Sequence, residues 1–516
     1  MSKILNYKFC LLFIILIIAA FLRLYNLTPT NGGLPPGLYP DEAIDGNNAL
    51  EGFKVFYPEN NGREGLFIDI QAVFLKVLMP LNGDNPEPWM LRIVSVVFGI
   101  LTVLGVYFLA KELFNGLREN EILALLSSFF LAVSFWHINF SRISFRAIMA
   151  PAFLVWGLFL LLKALNQTKN NFQFSIFNFQ SISKNFLLLS IIGGLIYGLG
   201  FHSYIAYRAT PLLILIVLSI YWLQNKEKVV RKKIILVASG YTLMAIIVFA
   251  PLGIYFLKNP ADFFGRTGQL SITHSASPLK DLGLNILKTA AMFNFVGDSN
   301  WRHNYAGRPE LFLPVGILFL IGMFMGLKIL FKKTPKEEHS LACVVLFSWL
   351  IIAALPVVIS NEGIPHALRS LLMIPPVIIL AGFGAIWFYK FVKNDNSVLK
   401  TKILNVSIFF FFLLLFFEAY YTYFIKWGKN YNVQGAFSAD YVAIGRELNA
   451  LPKEMPKYVV VQAGGVDVRG IPMPAQTVMY ITNTFLPEKQ KEKNIYYILP
   501  NQISEIPPDS YVATLK

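Results

Sequence analysis

The chain has 516 residues, of which 55% are hydrophobic and only 15% are charged. Because a soluble protein carries about 25% charged residues, this composition excludes an ordinary soluble globular protein and predicts a polytopic α-helical membrane protein. The net charge of +15 comes largely from short loops between apolar stretches, which membrane topology by itself explains. We therefore predict no nucleic-acid partner.

Eleven apolar stretches have about the length needed to cross the hydrocarbon core of a membrane. They are 8–25, 89–113, 120–138, 147–165, 186–204, 209–224, 233–257, 310–331, 340–359, 369–391 and 403–424. The segment 66–79 is helical in period, but Asp69, Gln71 and Lys76 interrupt its apolar pattern. We predict that it forms an amphipathic helix lying in the membrane interface, within the first external loop.

Basic residues predict the orientation of these spans. When Lys3 and Lys8 are placed in the cytoplasm, the basic clusters of alternate loops, such as the one at 226–233, also fall inside. The protein is therefore predicted to be a multi-pass protein of the plasma membrane with a cytoplasmic N-terminus. The opposite loops, which hold the candidate functional residues, would lie outside the cytoplasm.

The C-terminal segment 430–516 differs from the rest because it is polar and rich in proline. Within it, 458–461 and 495–499 have the composition of strands, and 441–451 has the pattern of a helix. We predict two domains, a transmembrane domain over 1–429 and a small extracytoplasmic α/β domain over 430–516.

Two neighbouring carboxylates, Asp41 and Glu42, follow Pro40 just beyond the first predicted span. Such a pair raises the pKa of one member, and a partly buried carboxylate can act as a general base toward a hydroxyl. Alternatively, both residues simply begin a helix, where acidic side chains complement the helix dipole. Their position over the membrane surface favours a catalytic role.

Arginines recur at the outer ends of the predicted spans. Arg63 and Glu64 open the interfacial helix, Arg142 and Arg146 are spaced to share one helix face, and Arg208 precedes another span. Arginine suits bidentate contact with phosphate, whereas a single arginine often only extends toward lipid headgroups. Convergence of several on one side favours phosphate binding.

Two further outer loops are dense in polar groups, 297–305 with His303 and Asn304, and 361–369 with His366 and Arg369. We predict that they contact substrate, although an ordered surface loop is the alternative. Glu362, His366 and His303 could together bind a transition metal, but their spacing matches no strong metal motif. No metal site and no cofactor are predicted, and a divalent metal is left open.

This pattern resembles the GT-C superfamily of membrane glycosyltransferases. It is similar to protein O-mannosyltransferases of family 39, lipid A aminoarabinose transferases and RgtA/B/C/D-like bacterial relatives. The residues that carry the resemblance are Asp41-Glu42, Arg63-Glu64-Gly65-Leu66, Ser141-Arg142…Arg146, Tyr204…Arg208…Pro211 and Pro365-His366…Arg369. It covers about residues 8–425, and Gly65 stands where relatives more often have a Pro-Pro step.

The resemblance implies an inverting transfer of a sugar from a polyprenyl-phosphate donor in the lipid bilayer to a glycan, lipid or protein acceptor. Asp41 would take the proton of the acceptor hydroxyl, with Glu42 beside it. The implied substrate-binding residues are Arg63, Glu64, Arg146, Tyr204, Arg208, His303, Asn304, His366 and Arg369. The alternative is a transporter or flippase of a lipid-linked sugar, although transporters usually keep functional charges near the bilayer midplane.

Overall fold

A computed structural model describes residues 2–28, 33–169, 185–269, 271–331, 339–360, 362–393 and 398–516. Its helices are α1 (Ser2–Leu24), α2 (Pro40–Glu51), α3 (Leu66–Leu78), α4 (Pro88–Leu113), α5 (Asn120–Ala132), α6 (Phe135–Phe140), α7 (Met149–Gln167), α8 (Phe186–Gly200), α9 (Pro211–Gln224), α10 (Lys228–Lys258), α11 (Pro260–Gln269), α12 (Pro278–Ala291), α13 (Leu313–Leu330), α14 (Ser340–Val358), α15 (Ile374–Val392), α16 (Val398–Tyr420), α17 (Tyr431–Ala436), α18 (Ala439–Ala450), α19 (Ala475–Thr482) and α20 (Pro487–Lys493). Its strands are β1 (Phe56–Tyr57), β2 (Arg63–Glu64), β3 (Lys457–Val461), β4 (Asp467–Val468), β5 (Ile471–Pro472), β6 (Ile495–Ile498) and β7 (Tyr511–Leu515).

Most of the chain is built from membrane-spanning helices. In the described ranges, nine helical segments are long and apolar enough to cross a membrane, from Tyr7–Leu24 to Ile403–Trp427. Two further apolar helices, α5 and α8, have 13 and 15 residues. These segments overlap the eleven predicted stretches, and the prediction of a polytopic α-helical membrane protein is confirmed.

The stretch predicted as one span over 120–138 is broken after Ala132, where α5 ends, and α6 begins at Phe135. The last carbonyl groups of a helix have no partner within the helix. Here the buried guanidinium of Arg23 donates to the carbonyl oxygens of Leu131 at 3.3 Å and Ala132 at 3.0 Å. The break is therefore stabilised by a side chain from the first span, which no local pattern around residue 132 reveals.

The connection between α1 and α4 contains α2, a short hairpin and α3. In the hairpin, Phe56 pairs with Glu64 and Tyr57 with Arg63, and all four residues are buried. The helix predicted at 66–79 is present as α3. Gly65 joins β2 to α3, and a Cβ atom there would stand only 1.7 Å from the carbonyl oxygen of Lys54. Only glycine therefore permits residue 65 to lie so close to the Lys54 backbone, and the preceding Arg63 and Glu64 are buried.

The spans pack closely at small residues. A Cβ atom on Gly322 of α13 would lie 1.9 Å from the carbonyl oxygen of Leu380, and one on Gly384 of α15 would lie 1.9 Å from that of Leu318. Lipid tails are as apolar as the side chains, so helices in a membrane associate through such van der Waals contact rather than through hydrophobic burial. The buried apolar side chains of α4, α5, α7 and α13–α15 form one continuous core.

The C-terminal region combines α17–α20 with a parallel three-stranded sheet of order β6-β3-β7. The predicted strands at 458–461 and 495–499 and the helix at 441–451 are present as β3, β6 and α18. This region packs directly on the connection between α1 and α4, where Asn47 of α2 donates to Gln476 Oε1 at 2.9 Å. A division of the chain into domains at residue 430 stays a prediction.

Candidate active site

A cavity of about 260 Å³ lies where α2, the β1–β2 hairpin and the connections after α6, α8, α10 and α14 meet. Eight of the eleven residues predicted to act on substrate line it: Asp41, Arg63, Glu64, Arg146, Tyr204, Arg208, His366 and Arg369. Glu42, His303 and Asn304 lie outside the described lining. Residues far apart in the chain therefore meet in one place, as their predicted position on one side of the membrane requires.

Asp41 and Asp45 stand one turn apart on α2 and share one arginine. Arg63 Nη2 donates to Asp41 Oδ1 at 2.6 Å, and Arg63 Nε lies 2.9 Å from Asp45 Oδ1. Asn60 Nδ2 also donates to Asp41 Oδ1, at 2.5 Å. The Asp41 side chain remains 33% exposed, whereas that of Asp45 is 3% exposed. Asp41 is consequently the carboxylate that a hydroxyl in the cavity can reach.

Asp45 also lines the cavity, although it is not among the site residues predicted from the sequence. Burial, together with the neighbouring carboxylates, raises the pKa of Asp45 to about 6, while Arg63 and Arg146 act in the opposite direction. Burial and the Asp41 carboxylate also raise the pKa of Tyr39 to about 12, which keeps this phenol neutral. The four-residue spacing between Asp41 and Asp45 was the available signal, because such residues share a helix face.

Glu42 is fully buried and bound to the protein itself. Arg92 donates from Nε to Glu42 Oε1 and from Nη2 to Oε2, both at 3.0 Å. The backbone N–H groups of Ser144 and Tyr39 donate to the same carboxylate at 2.8 and 3.2 Å. These contacts fix the start of α2 against α4, as a positioning residue would. The catalytic role predicted for Glu42 stays a prediction.

Glu64 connects two arginines that also line the cavity. Its Oε2 accepts from Arg146 Nε at 3.0 Å, and its Oε1 lies 3.5 Å from Arg208 Nη2. Arg208 Nη1 also donates to the carbonyl oxygen of Phe263 at 2.9 Å, and its guanidinium stands 4.3 Å from the Phe263 ring centroid. One carboxylate shared by two guanidiniums leaves an excess positive charge for an anion to bind.

The predicted pairing of Arg142 and Arg146 on one helix face is wrong. The helix α6 ends at Phe140, and the chain turns before Arg146. Arg142 is fully buried and donates to the carbonyl oxygens of Leu22 at 3.2 Å and Leu34 at 2.9 Å. Because the chain changes direction between the two residues, Arg146 lines the cavity and Arg142 secures the end of α1.

Two histidines meet a buried carboxylate at another part of the wall. Asp298 Oδ2 lies 3.0 Å from His303 Nδ1 and 3.9 Å from His366 Nδ1, and the two imidazole rings are 4.8 Å apart. Burial lowers the pKa of His366 well below its ordinary value, and the neighbouring His303 and Arg369 side chains act in the same direction. Burial favours the neutral acid of Asp298, but its hydrogen bond with His303 keeps its pKa below the ordinary value.

The remaining predicted residues have partners within the protein. Asn304 Nδ2 donates to the carbonyl oxygen of Arg308 at 2.5 Å, within the loop that carries His303. Arg369 Nη1 donates to Ser360 Oγ and to the carbonyl oxygen of Glu362 at 2.9 Å. The side chain of Glu362 is 68% exposed, and the carboxylate clustered with His303 and His366 is that of Asp298 instead. Sugar binding by His303 and Asn304 stays a prediction.

Comparison with known proteins gives structural relatives only. No protein-family model matches the sequence, and no curated protein sequence matches it significantly. The oligosaccharyltransferase AglB from Archaeoglobus fulgidus, solved with an inhibitory peptide and a dolichol-phosphate, is 13% identical with a TM-score of 0.54. The match covers 92% of this chain and 63% of AglB. The same archaeal enzyme tethered to an acceptor peptide gives 14% identity and a TM-score of 0.52, over 96% of this chain and 64% of that one.

A bacterial protein is similar over nearly its whole length. ArnT from Cupriavidus metallidurans, bound to undecaprenyl phosphate, is 13% identical with a TM-score of 0.50, and the match covers 99% of this chain and 90% of ArnT. This chain thus spans less than two thirds of AglB but most of ArnT. The shared architecture confirms the fold that the sequence motifs indicate. The chain has the fold that AglB and ArnT share.

Proposed function

We propose that this protein transfers a sugar from a polyprenyl-phosphate donor to an acceptor hydroxyl on the extracytoplasmic face of the plasma membrane. The observation that carries this proposal is a cavity in which the partly exposed carboxylate of Asp41 faces a set of arginines. Two proteins of the same fold are solved with lipid phosphates, AglB with a dolichol-phosphate and ArnT with undecaprenyl phosphate. Each of these two lipid phosphates is the kind of product that remains when a sugar is transferred from a polyprenyl-phosphate donor.

Asp41 is the general base in this proposal. As the acceptor oxygen attacks the anomeric carbon, its proton passes to the Asp41 carboxylate, and the bond from that carbon to the phosphate oxygen breaks. Direct displacement inverts the configuration at the anomeric carbon. The hydrogen bonds from Arg63 and Asn60 hold the carboxylate in one orientation, and precise orientation is what general-base catalysis requires.

The arginines stabilise the departing lipid phosphate. Arg146 and Arg208 are held side by side by Glu64, and Arg369 lines the same cavity. Preorganised cations directed at the site of developing negative charge lower the barrier without reorganising during the reaction. Glu64 therefore acts as a positioning residue for two guanidiniums, and Tyr204 lines the cavity beside them.

The test compares wild type with Asp41→Asn in detergent, using a panel of polyprenyl-phosphate sugars with candidate acceptors. Release of polyprenyl phosphate is the measured product. We expect Asp41→Asn to slow release by about 10²–10⁴-fold, the usual contribution of a general base. The matched control is Asp84→Asn, which makes the same charge change at an exposed position with a φ of 60° that asparagine tolerates.

Two results would contradict the proposal. Equal turnover by wild type and Asp41→Asn would remove Asp41 from the reaction. Failure of the folded wild type to release lipid phosphate from any donor, together with its movement of the intact lipid-linked sugar across a vesicle membrane, would establish the transporter alternative.

A further inference from the structure

Asp298, His303 and His366 form a compact cluster behind the cavity wall. They come from two separate connections, α12 to α13 for the first two and α14 to α15 for His366. Each offers one ligand atom, and the three atoms all lie within 4.8 Å of one another. Asp298 and His303 are buried, and His366 is also part of the cavity lining.

The separations suit a first-row divalent metal. Zinc bound tetrahedrally at about 2.0–2.2 Å places its ligands about 3.3–3.6 Å apart. Here Asp298 Oδ2 is 3.0 Å from His303 Nδ1 and 3.9 Å from His366 Nδ1. These two distances lie on either side of the required value, and the separation of the two histidine ligand atoms is at most 4.8 Å, so modest side-chain movements bring the three atoms into coordination.

The carboxylate is already oriented by groups outside the cluster. The backbone N–H of Ala367 donates to Asp298 Oδ2 at 2.9 Å, and that of Asn300 donates to Oδ1 at 2.8 Å. Such outer contacts are typical of metal sites, because they fix the direction of the ligand atom. The Phe140 ring centroid lies 5.7 Å from that of His303 and covers the site on one side.

We propose that Asp298, His303 and His366 bind one Zn²⁺ ion, which joins the 297–308 and 360–370 connections. Two imidazoles and one carboxylate suit zinc and its first-row neighbours, whereas Ca²⁺ and Mg²⁺ prefer oxygen ligands alone. The ion takes the place of the hydrogen bond between His303 Nδ1 and Asp298, and the neutral His303 ring that coordinates through Nδ1 carries its one proton on Nε2. Three protein ligands leave a fourth position for water or a substrate oxygen. This site goes beyond the proposed glycosyl transfer and does not depend on it.

The experiment measures metal binding directly. The full chain is purified through a tag without histidine, stripped with a chelator, re-equilibrated with Zn²⁺ and desalted, and bound zinc is counted by elemental mass spectrometry. Competition with a chromogenic chelator gives the affinity. The variants are Asp298→Asn, His303→Gln and His366→Gln. The matched control is His202→Gln, which alters a histidine whose Nε2 instead contacts the carbonyl oxygen of Val248 at 2.9 Å.

We expect one Zn²⁺ per chain for wild type and for His202→Gln. Each of the other three variants should bind at least about 100-fold more weakly, because even loss of an outer contact costs 10–100-fold. Elution from a size-exclusion column and the melting temperature in metal-free buffer establish that a variant is folded. One folded variant among Asp298→Asn, His303→Gln and His366→Gln is enough for the test. Less than stoichiometric zinc in wild type, or undiminished zinc in a folded ligand variant, would overturn the assignment.

Discussion

Replacing Glu42 by Gln tests whether this residue serves the fold or the chemistry. Glu42 and Arg92 are both buried and joined by two hydrogen bonds at 3.0 Å. Glutamine keeps the size of the side chain, but it removes the charge and one acceptor oxygen. Breaking a buried ion pair by removing one partner costs about 3–5 kcal/mol, since the other charge remains buried and unpaired. We expect Glu42→Gln to lower the free energy of unfolding by this amount and therefore to lower the melting temperature.

The assay is thermal unfolding in detergent, followed by tryptophan fluorescence and by loss of monodisperse protein on size-exclusion chromatography. Glu51→Gln is the matched control, because Glu51 is on the same helix but partly exposed in its ion pairs with Lys54 and Arg469. Such pairs contribute about 0–1 kcal/mol. The double variant Glu42→Gln with Arg92→Met should recover much of the lost stability, because it removes the unpaired charge.

The reasoning fails if the melting temperatures of Glu42→Gln and Glu51→Gln are both close to that of wild type. Loss of turnover in Glu42→Gln at unchanged stability would instead assign Glu42 to the reaction itself. In that case the hydrogen bonds from Arg92 would tune the carboxylate rather than anchor α2.

Three further predictions concern the same region. Because burial raises the pKa of Asp45 to about 6, the folded state retains a proton that the unfolded chain loses near pH 4. Stability should therefore fall by about 3 kcal/mol in total as pH rises from about 3 to about 7, with most of the change between pH 4 and 6. Asp45→Asn should abolish this part of the pH dependence of the melting temperature, and an identical pH profile would contradict it. Gly65→Ala should destabilise the protein by more than about 1–3 kcal/mol, since its Cβ meets the Lys54 carbonyl. Gly464→Ala, where nothing lies within 4 Å, should melt like wild type; equal melting of the two variants would refute the steric argument. Arg208→Lys should raise the donor KM about tenfold, the equivalent of one charge-assisted hydrogen bond of about 1.5 kcal/mol. Donor titrations measure this, and an unchanged KM would exclude Arg208 from phosphate binding.

The sequence alone determined the membrane architecture and the general position of the site. A membrane span must make all its backbone hydrogen bonds within itself, as a helix does. It also needs some 20 consecutive apolar residues to match the hydrocarbon thickness. Hydropathy therefore predicts spans from local sequence. The period of 66–79 and the composition of 458–461 and 495–499 likewise located α3, β3 and β6. Eight predicted residues meet in one cavity because the alternation of spans brings every second connection to the same side.

Only the tertiary structure decided what each side chain does. Asp41 and Glu42 are adjacent in sequence, yet successive residues of a helix point about 100° apart. One of them consequently lines the cavity, while the other binds Arg92, fifty positions away. The partnership of Asp298 with His366 likewise joins two connections through contacts that no local pattern records. Local energetics determine where helices form, whereas the partner of a buried charge depends on which helix packs beside it.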